Sequence, residues 1–339
     1  MSKAKPIGNI DCHDAAVCVI QTVLLARLKK LCALRERALD WNDTAGVHQM
    51  RVASRRLRSA LSDFKPYLRK GSIPSSRLKA IGKKLGAVRD EDVVLAALEK
   101  LRSQVDDKVA DGIEAIAAEH RRQRQQARSA LYAALKPATL TEFRDDFRDR
   151  LDTATKTPHS HDEENRPQVL TFGQLGTTVI GARLKQLSDS SNAFYHPLRT
   201  RELHQLRILA KRLRYAVELF TPCWGDEFKK IAKEIAGLQT SLGELHDCDA
   251  WIANLGARLK NDEKTGEPRN RAAVVWLLQH FLCERTKHYC HALACWHKWE
   301  RDGFLERLTG MLKNERDFGA ETPRKPKQLK KALEPGSTR

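Results

Sequence analysis

A fourteen-residue stretch that occurs twice constrains the fold of this chain more than any other feature. The first copy is His48-Gln49-Met50-Arg51-Val52-Ala53-Ser54-Arg55-Arg56-Leu57-Arg58-Ser59-Ala60-Leu61. The second runs from His204 to Val217 as HQLRILAKRLRYAV, in register without a gap at an offset of 156 residues. At about 100° per residue on a helix, His48, Arg51, Arg55 and Arg58 fall within roughly 80° of one another. Met50, Ala53, Leu57, Ala60, Leu61 and Phe64 fall on the other side. The second copy splits the same way, with His204, Arg207, Lys211 and Arg214 opposite Leu206, Leu209, Leu213, Ala216 and Phe220. Each copy is therefore read as a helix with one core face and one cationic stripe. Solvated helices usually intersperse acids with bases. Neither copy contains an acid, so each stripe is read as the seat of an anionic partner.

The repeat extends beyond the basic helix. Ala182-Arg183-Leu184-Lys185-Gln186-Leu187 matches Ala26 to Leu31 at the same offset, and Leu242 to Asp249 (LGELHDCD) matches Leu85 to Asp92 (LGAVRDED) at 157. A steady offset over three helices indicates an internal duplication. Alternating Val/Ile/Thr runs and Asn-Gly hairpin signals are absent, so the predicted class is all-α. The predicted architecture is two tandem four-helix bundles related by a pseudo-twofold, with the two stripes facing a shared groove. Repeat one spans residues 10–151 and repeat two 169–315. The polar, proline-containing stretch 152–168 is the predicted linker, and the basic 316–339 a predicted disordered tail.

Within each half the spacing predicts further elements. Residues 11–39 read as helical and 41–46 as a connection; Lys65-Pro66 closes the first basic helix, and Thr221-Pro222 the second. A third helix carries Leu78, Ile81, Leu85 and Val88 and runs into the LGAVRDED stretch, with a separate helix near Val93–Leu101. Helices near Val105–Leu135, Phe143–Leu151 and Ala272–Glu300 follow.

Charge supports the anionic partner. Lys plus Arg number 61 against 43 Asp plus Glu, for a net +18. Such a balance suits nucleic acid, an acidic surface or a polyphosphate-like ligand. No apolar stretch approaches the roughly 20 residues of a membrane span, and the first residues, MSKAKPIGNIDCHD, lack the apolar segment of a signal peptide. The expectation is a cytoplasmic protein whose eight cysteines are reduced and mostly buried.

From His48 to Arg58 a helix extends about 15 Å, enough for several phosphates. Arg51, Arg55, Arg58, Arg207, Lys211 and Arg214 are the primary candidates to hold them, with Arg56 and Arg212 nearer the edge of the stripe. His48 and His204 titrate near neutral pH and are candidates for phosphate contact or proton sensing. Lys79, Lys83, Lys84, Lys229, Lys230 and Lys233 are further groove candidates. Asp90, Asp92, Asp247 and Asp249 form two Asp-x-Asp pairs. They are read as anchors for basic side chains and as helix caps rather than metal ligands, because two carboxylates alone are a weak metal signal. No P-loop, GxSxG or HExxH motif occurs. His246-Asp247 has the form of a helical phosphohydrolase pair, but the first repeat has Arg89-Asp90 there. Cys290, His291, Cys295 and His297 are read as packing beside Trp296 and Trp299 rather than as a zinc site. The reading is a non-catalytic binder with neither metal nor cofactor.

Both copies, VHQMRVASRRLRSAL with LGAVRDEDV and LHQLRILAKRLRYAVELF with LGELHDCDAW, resemble the CHAD family, the conserved histidine α-helical domain. The resemblance spans about residues 10–315. It implies two four-helix bundles with internal twofold symmetry, inorganic polyphosphate binding in a basic groove or pore, and association with polyphosphate granules in bacteria. It adds Arg27 and Lys30, with Arg183 and Lys185, from the first helix of each repeat. Gln186 departs from Lys30, and His246 from Arg89, so the halves need not bind equally. Nonspecific nucleic-acid binding is the alternative, and a metal-dependent phosphohydrolase a more distant one. Base-reading Asn/Gln arrays and aromatic platforms are missing from the basic helices.

Overall fold

The structure, a computed structural model, describes residues 10–43, 45–69, 73, 75–155, 170–265 and 270–313. Among the described residues all regular structure is helical, apart from one isolated antiparallel bridge, Ala15 to Thr171. Helix α1 (Ala16–Cys32) buries Val19, Ile20, Val23, Leu24, Leu28 and Leu31, the helical spacing legible in the sequence. The short α2 (Arg35–Leu39) turns the chain into α3 (Gly46–Phe64), the first basic helix. Gly46 is required there: a Cβ would lie 1.8 Å from the Arg37 carbonyl oxygen, so only glycine lets α3 start against α2. A 3-10 turn, Lys65–Tyr67, ends α3 at the expected proline.

The long α4 (Ser76–Arg102) and α5 (Asp107–Ala134) pack antiparallel, followed by α6 (Pro137–Thr155). Two expectations change here. The separate helix at 93–101 is the second half of α4, since LGAVRDED contains no proline and its single glycine is tolerated within a helix. The short helix at 143–151 extends in both directions; it takes proline at its start, where no N–H is needed, and runs into residues assigned to the linker. The remainder of that linker and the tail 316–339 lie outside the described residues.

The second half follows the same succession. Helix α7 (Phe172–Asp189) opens on a capping box between Thr171 and Gln174. A 3-10 turn, Ser191–Tyr195, leads to α8 (Thr200–Thr265), which carries the second basic stretch. Helix α8 does not stop at Pro222; it bends at Gly225, whose φ of 64° and ψ of −144° lie where only glycine sits without strain. The elbow is packed by aromatic rings: Phe172 lies 4.7 Å from Phe220, and Trp224 stacks 4.6 Å from Phe228. These contacts hold the chain together where proline removes a helical hydrogen bond. Helices α9 (Arg271–Arg301) and α10 (Phe304–Lys313) complete the half.

The halves join along three seams, α1 on α7, α3 on α8 and α5 on α9. Backbone bonds pin the first: Ala16 donates to the Leu170 carbonyl at 2.8 Å, and Phe172 to the Asp14 carbonyl at 2.9 Å. The apolar core crosses all three seams. A main core unites Leu24, Leu57 and Phe64 with Phe172, Leu213 and Phe220. A distal one unites Leu98, Ile113 and Ile116 with Leu255, Leu277 and Phe281. Each such buried side chain contributes about 1.5–3 kcal/mol, so both cores tie one half to the other. The cysteine expectation is corrected: Cys248 is buried, but Cys283 and Cys290 are exposed and the other five half-buried. Cys32, Cys223 and Cys295 sit at the margin of the main core, which covers them only in part.

Candidate functional site: a cationic cleft between two helices

The apolar faces of α3 and the N-terminal arm of α8 point into the main core. Met50, Leu57 and Phe64 are fully enclosed, as are Leu206, Leu213 and Phe220. The opposite faces must then turn outward, and because α3 packs on α8 they meet. Between them is a cleft of about 1100 Å³, lined by Arg55 and Arg58 from α3 and by Lys211 and Arg212 from α8. The turn after α3 adds Lys65 and Arg69 to the lining; Ser59, Ser62 and Tyr215 form part of the wall.

The cations in and beside this cleft are crowded, with Arg51 and Arg207 standing next to it but outside its lining. Burial, then Arg207, Arg55 and Arg51, push the Lys211 ammonium down to about 8. Burial also lowers Arg55, which feels Arg51, Arg214 and Arg56. The Arg55 Nε is enclosed without a hydrogen-bond partner. Arg207 is lowered chiefly by burial, with Asp247 and Asp90 opposing it. Like charges drawn from both helices thus share one partly dry volume, an arrangement that favours an incoming polyanion.

The acidic motifs of α4 and α8 hold arginines of neighbouring helices. Asp90 sits 3.3 Å from Arg51. Asp92 accepts from Arg124 at 2.6 Å, and Asp249 from Arg285 at 2.6 Å. Three of the four aspartates therefore hold arginines directly; they do so from within helices, not as caps. Among the described residues no three His, Cys, Asp or Glu side chains gather as a metal site.

The histidines differ between halves. His204 lies with its Nδ1 3.1 Å from that of His246. Burial, then Arg207 and His204, press His246 down to about 4. His48 is lowered first by burial and then by Arg89, which stands where the second half has His246.

Several predicted site residues lie elsewhere. Arg27 donates to the Arg56 carbonyl at 2.5 Å, and burial pushes its guanidinium down to about 10. Arg56 pairs with Glu218 at 3.0 Å. Arg183 clasps Asp63 with Nε at 2.9 Å and a terminal nitrogen at 2.6 Å, joining α7 to α3. Arg214 is 8% exposed and donates to Glu218 at 2.7 Å and Gln239 at 3.3 Å. These four brace the walls and do not line the cleft. Lys30, Lys79, Lys83, Lys84 and Lys233 are exposed outside the cleft lining. Lys185, Lys229 and Lys230 are exposed too, paired with Asp189, Asp226 and Glu227. The sequence reading missed Lys65 and Arg69, which follow the proline taken as the end of the basic helix. Their signal was a second acid-free stretch, Lys65 to Arg69, directly after Asp63 and Phe64.

An all-helical protein with a cationic, ligand-sized cleft between two like helices is the class that fold and site define. The CHAD domain sequence model matches residues 22–256, and the chain belongs to that family. A crystal structure of the CHAD domain from the plant Ricinus communis is similar at a TM-score of 0.62 and 20% identity, covering 95% of this chain and 99% of that one. PptA from Streptomyces chartreusis is similar at 0.59 and 16% identity, covering 84% and 100%. No curated protein matches the chain. No helix among the described residues is long and apolar enough to cross a membrane.

Proposed function

We propose that this protein binds inorganic polyphosphate in the α3/α8 cleft, without catalysing its breakdown, and that it associates with polyphosphate granules. The supporting observation is the gathering of Arg55, Arg58, Lys211 and Arg212 along a cleft of about 1100 Å³, with Lys211 lowered by burial and by Arg207, Arg55 and Arg51. A thin chain with a charge on every unit can thread among half-buried cations and release its counterions there. Arginines supply forked contacts to phosphate oxygens and Lys211 a point charge.

A duplex presents its phosphates on a wide cylinder and meets the exposed Arg58 and Arg212 before the half-buried Arg55 and Lys211. Nonspecific nucleic-acid binding is therefore the weaker use of this geometry. Competition between long-chain polyphosphate and duplex DNA at physiological salt tests the reading. Polyphosphate should displace DNA; a tie, or displacement of polyphosphate by DNA, overturns it. Phosphate release from polyphosphate with an added divalent metal would overturn the non-catalytic part.

A further inference from the structure

The register of 156 residues in the basic helices, and of 157 in the helices that follow them, makes it possible to compare what stands beside each cation. Arg58 and Arg214 occupy matching positions. Arg58 is exposed and lines the cleft, whereas Arg214 is 8% exposed. Three exchanges around them account for the difference. Glu218 stands where the first helix has Ser62, and its carboxylate takes Arg214 at 2.7 Å and, across the seam, Arg56 at 3.0 Å. Gln239 stands where α4 has Gly82, and it accepts from Arg214 at 3.3 Å. At Gly82 the same space belongs to Arg58, one of whose terminal nitrogens would lie 3.4 Å from an added Cβ. Tyr215 replaces Ser59 and is buried in the wall.

We propose that Glu218 is an internal counter-anion that shuts the second half of the groove, so that the ligand is gripped on one side of the α3/α8 crossing only. The inference rests on the polyphosphate reading and narrows it: Glu218 sets how many phosphates the site engages. A pseudo-twofold pair of stripes would offer a cation row on either side of the crossing. One carboxylate placed between Arg56 and Arg214 neutralises the second row and leaves Arg55, Arg58, Lys211 and Arg212 as the grip.

The test moves the carboxylate in both directions in the full-length chain. Ser62 is exposed in the cleft, so Ser62→Glu installs the acid without disturbing the core. Glu218→Ser gives the second helix the residue of the first. Affinity for long-chain polyphosphate is measured against salt concentration, with a thermal melt of each variant. Ser62→Glu should weaken binding about tenfold and make the salt dependence shallower by about one released ion. Glu218→Ser should tighten binding and steepen that dependence. Wild-type affinity and slope in a folded Ser62→Glu variant overturn the proposal. So does a folded Glu218→Ser variant that binds no tighter. If Glu218→Ser does not fold, Ser62→Glu decides alone. Absence of polyphosphate binding by the unaltered protein would instead refute the function on which the inference stands.

Discussion

The first and second basic helices share a sequence pattern and differ in what they do with it. In α3 the stripe reaches the cleft at Arg55 and Arg58. In α8 it reaches the cleft at Lys211 and Arg212, while Arg214 turns inward to Glu218 and Gln239. Arg56 is likewise withdrawn by Glu218, whereas Arg212 remains exposed. A basic residue in a repeated motif is thus neither a ligand contact nor a structural clasp by virtue of its position. The carboxylates within reach decide which it becomes.

The largest expected effect concerns the clasps. Asp63 is 4% exposed and is held by Arg183 across the α3/α7 contact. Asp63→Ala leaves that guanidinium uncompensated and should destabilise the fold by about 3–5 kcal/mol, read from denaturant unfolding. A loss under 1 kcal/mol would place Arg183 among the ligand-facing cations. Next comes the direct comparison of Arg58→Ala with Arg214→Ala. Arg214→Ala should cost about 1–3 kcal/mol of stability by stripping Glu218 of one donor. Arg58→Ala should move stability by less than about 0.5 kcal/mol yet weaken polyphosphate binding severalfold. The opposite pattern would break the distinction between the two helices.

Lys211 adds a pH signature. Its folded value of about 8 lies below that of a free lysine, and a bound polyanion raises it by favouring the charged form. Affinity should therefore fall as pH rises from 7 to 9, by up to about tenfold. Lys211→Arg keeps its charge over that range, and the step should vanish. A persistent step in the arginine variant would assign it to another group. The histidines add a second pH signature, read in stability rather than in binding. His246 is depressed to about 4, with His204 and His48 lowered in the same direction. Between pH 6.5 and 4 the unfolded chain takes up protons that the folded chain declines. Unliganded stability should therefore drop as pH falls through that window, and His246→Gln should flatten the drop.

Much of this was legible in the sequence because it is local. The apolar faces of α1, α3 and α8 follow from helical spacing, and the meeting of the stripes follows from placing two like helices face to face. What escaped depends on distant partners. Nothing near Arg183 announces Asp63, 120 positions away. Arg214 looked like Arg58 because Glu218 begins one residue after the acid-free run and Gln239 belongs to the far side of the Gly225 elbow. Proline at 222 read as a stop because the aromatic packing that carries α8 past it comes partly from α7. Lys65 and Arg69 escaped because they lie past a helix end, although the chain keeps them beside the cleft.

The central claim is that α3 and α8 form one binding surface rather than two. It is tested most directly by the salt dependence of long-chain polyphosphate binding to wild type, Arg55→Ala, Lys211→Ala and the double variant, all checked for folding. The account predicts that either single change weakens binding and flattens the salt dependence, and that the double change shows energetic coupling between the two sites. Purely additive losses, or one helix without effect, would contradict it.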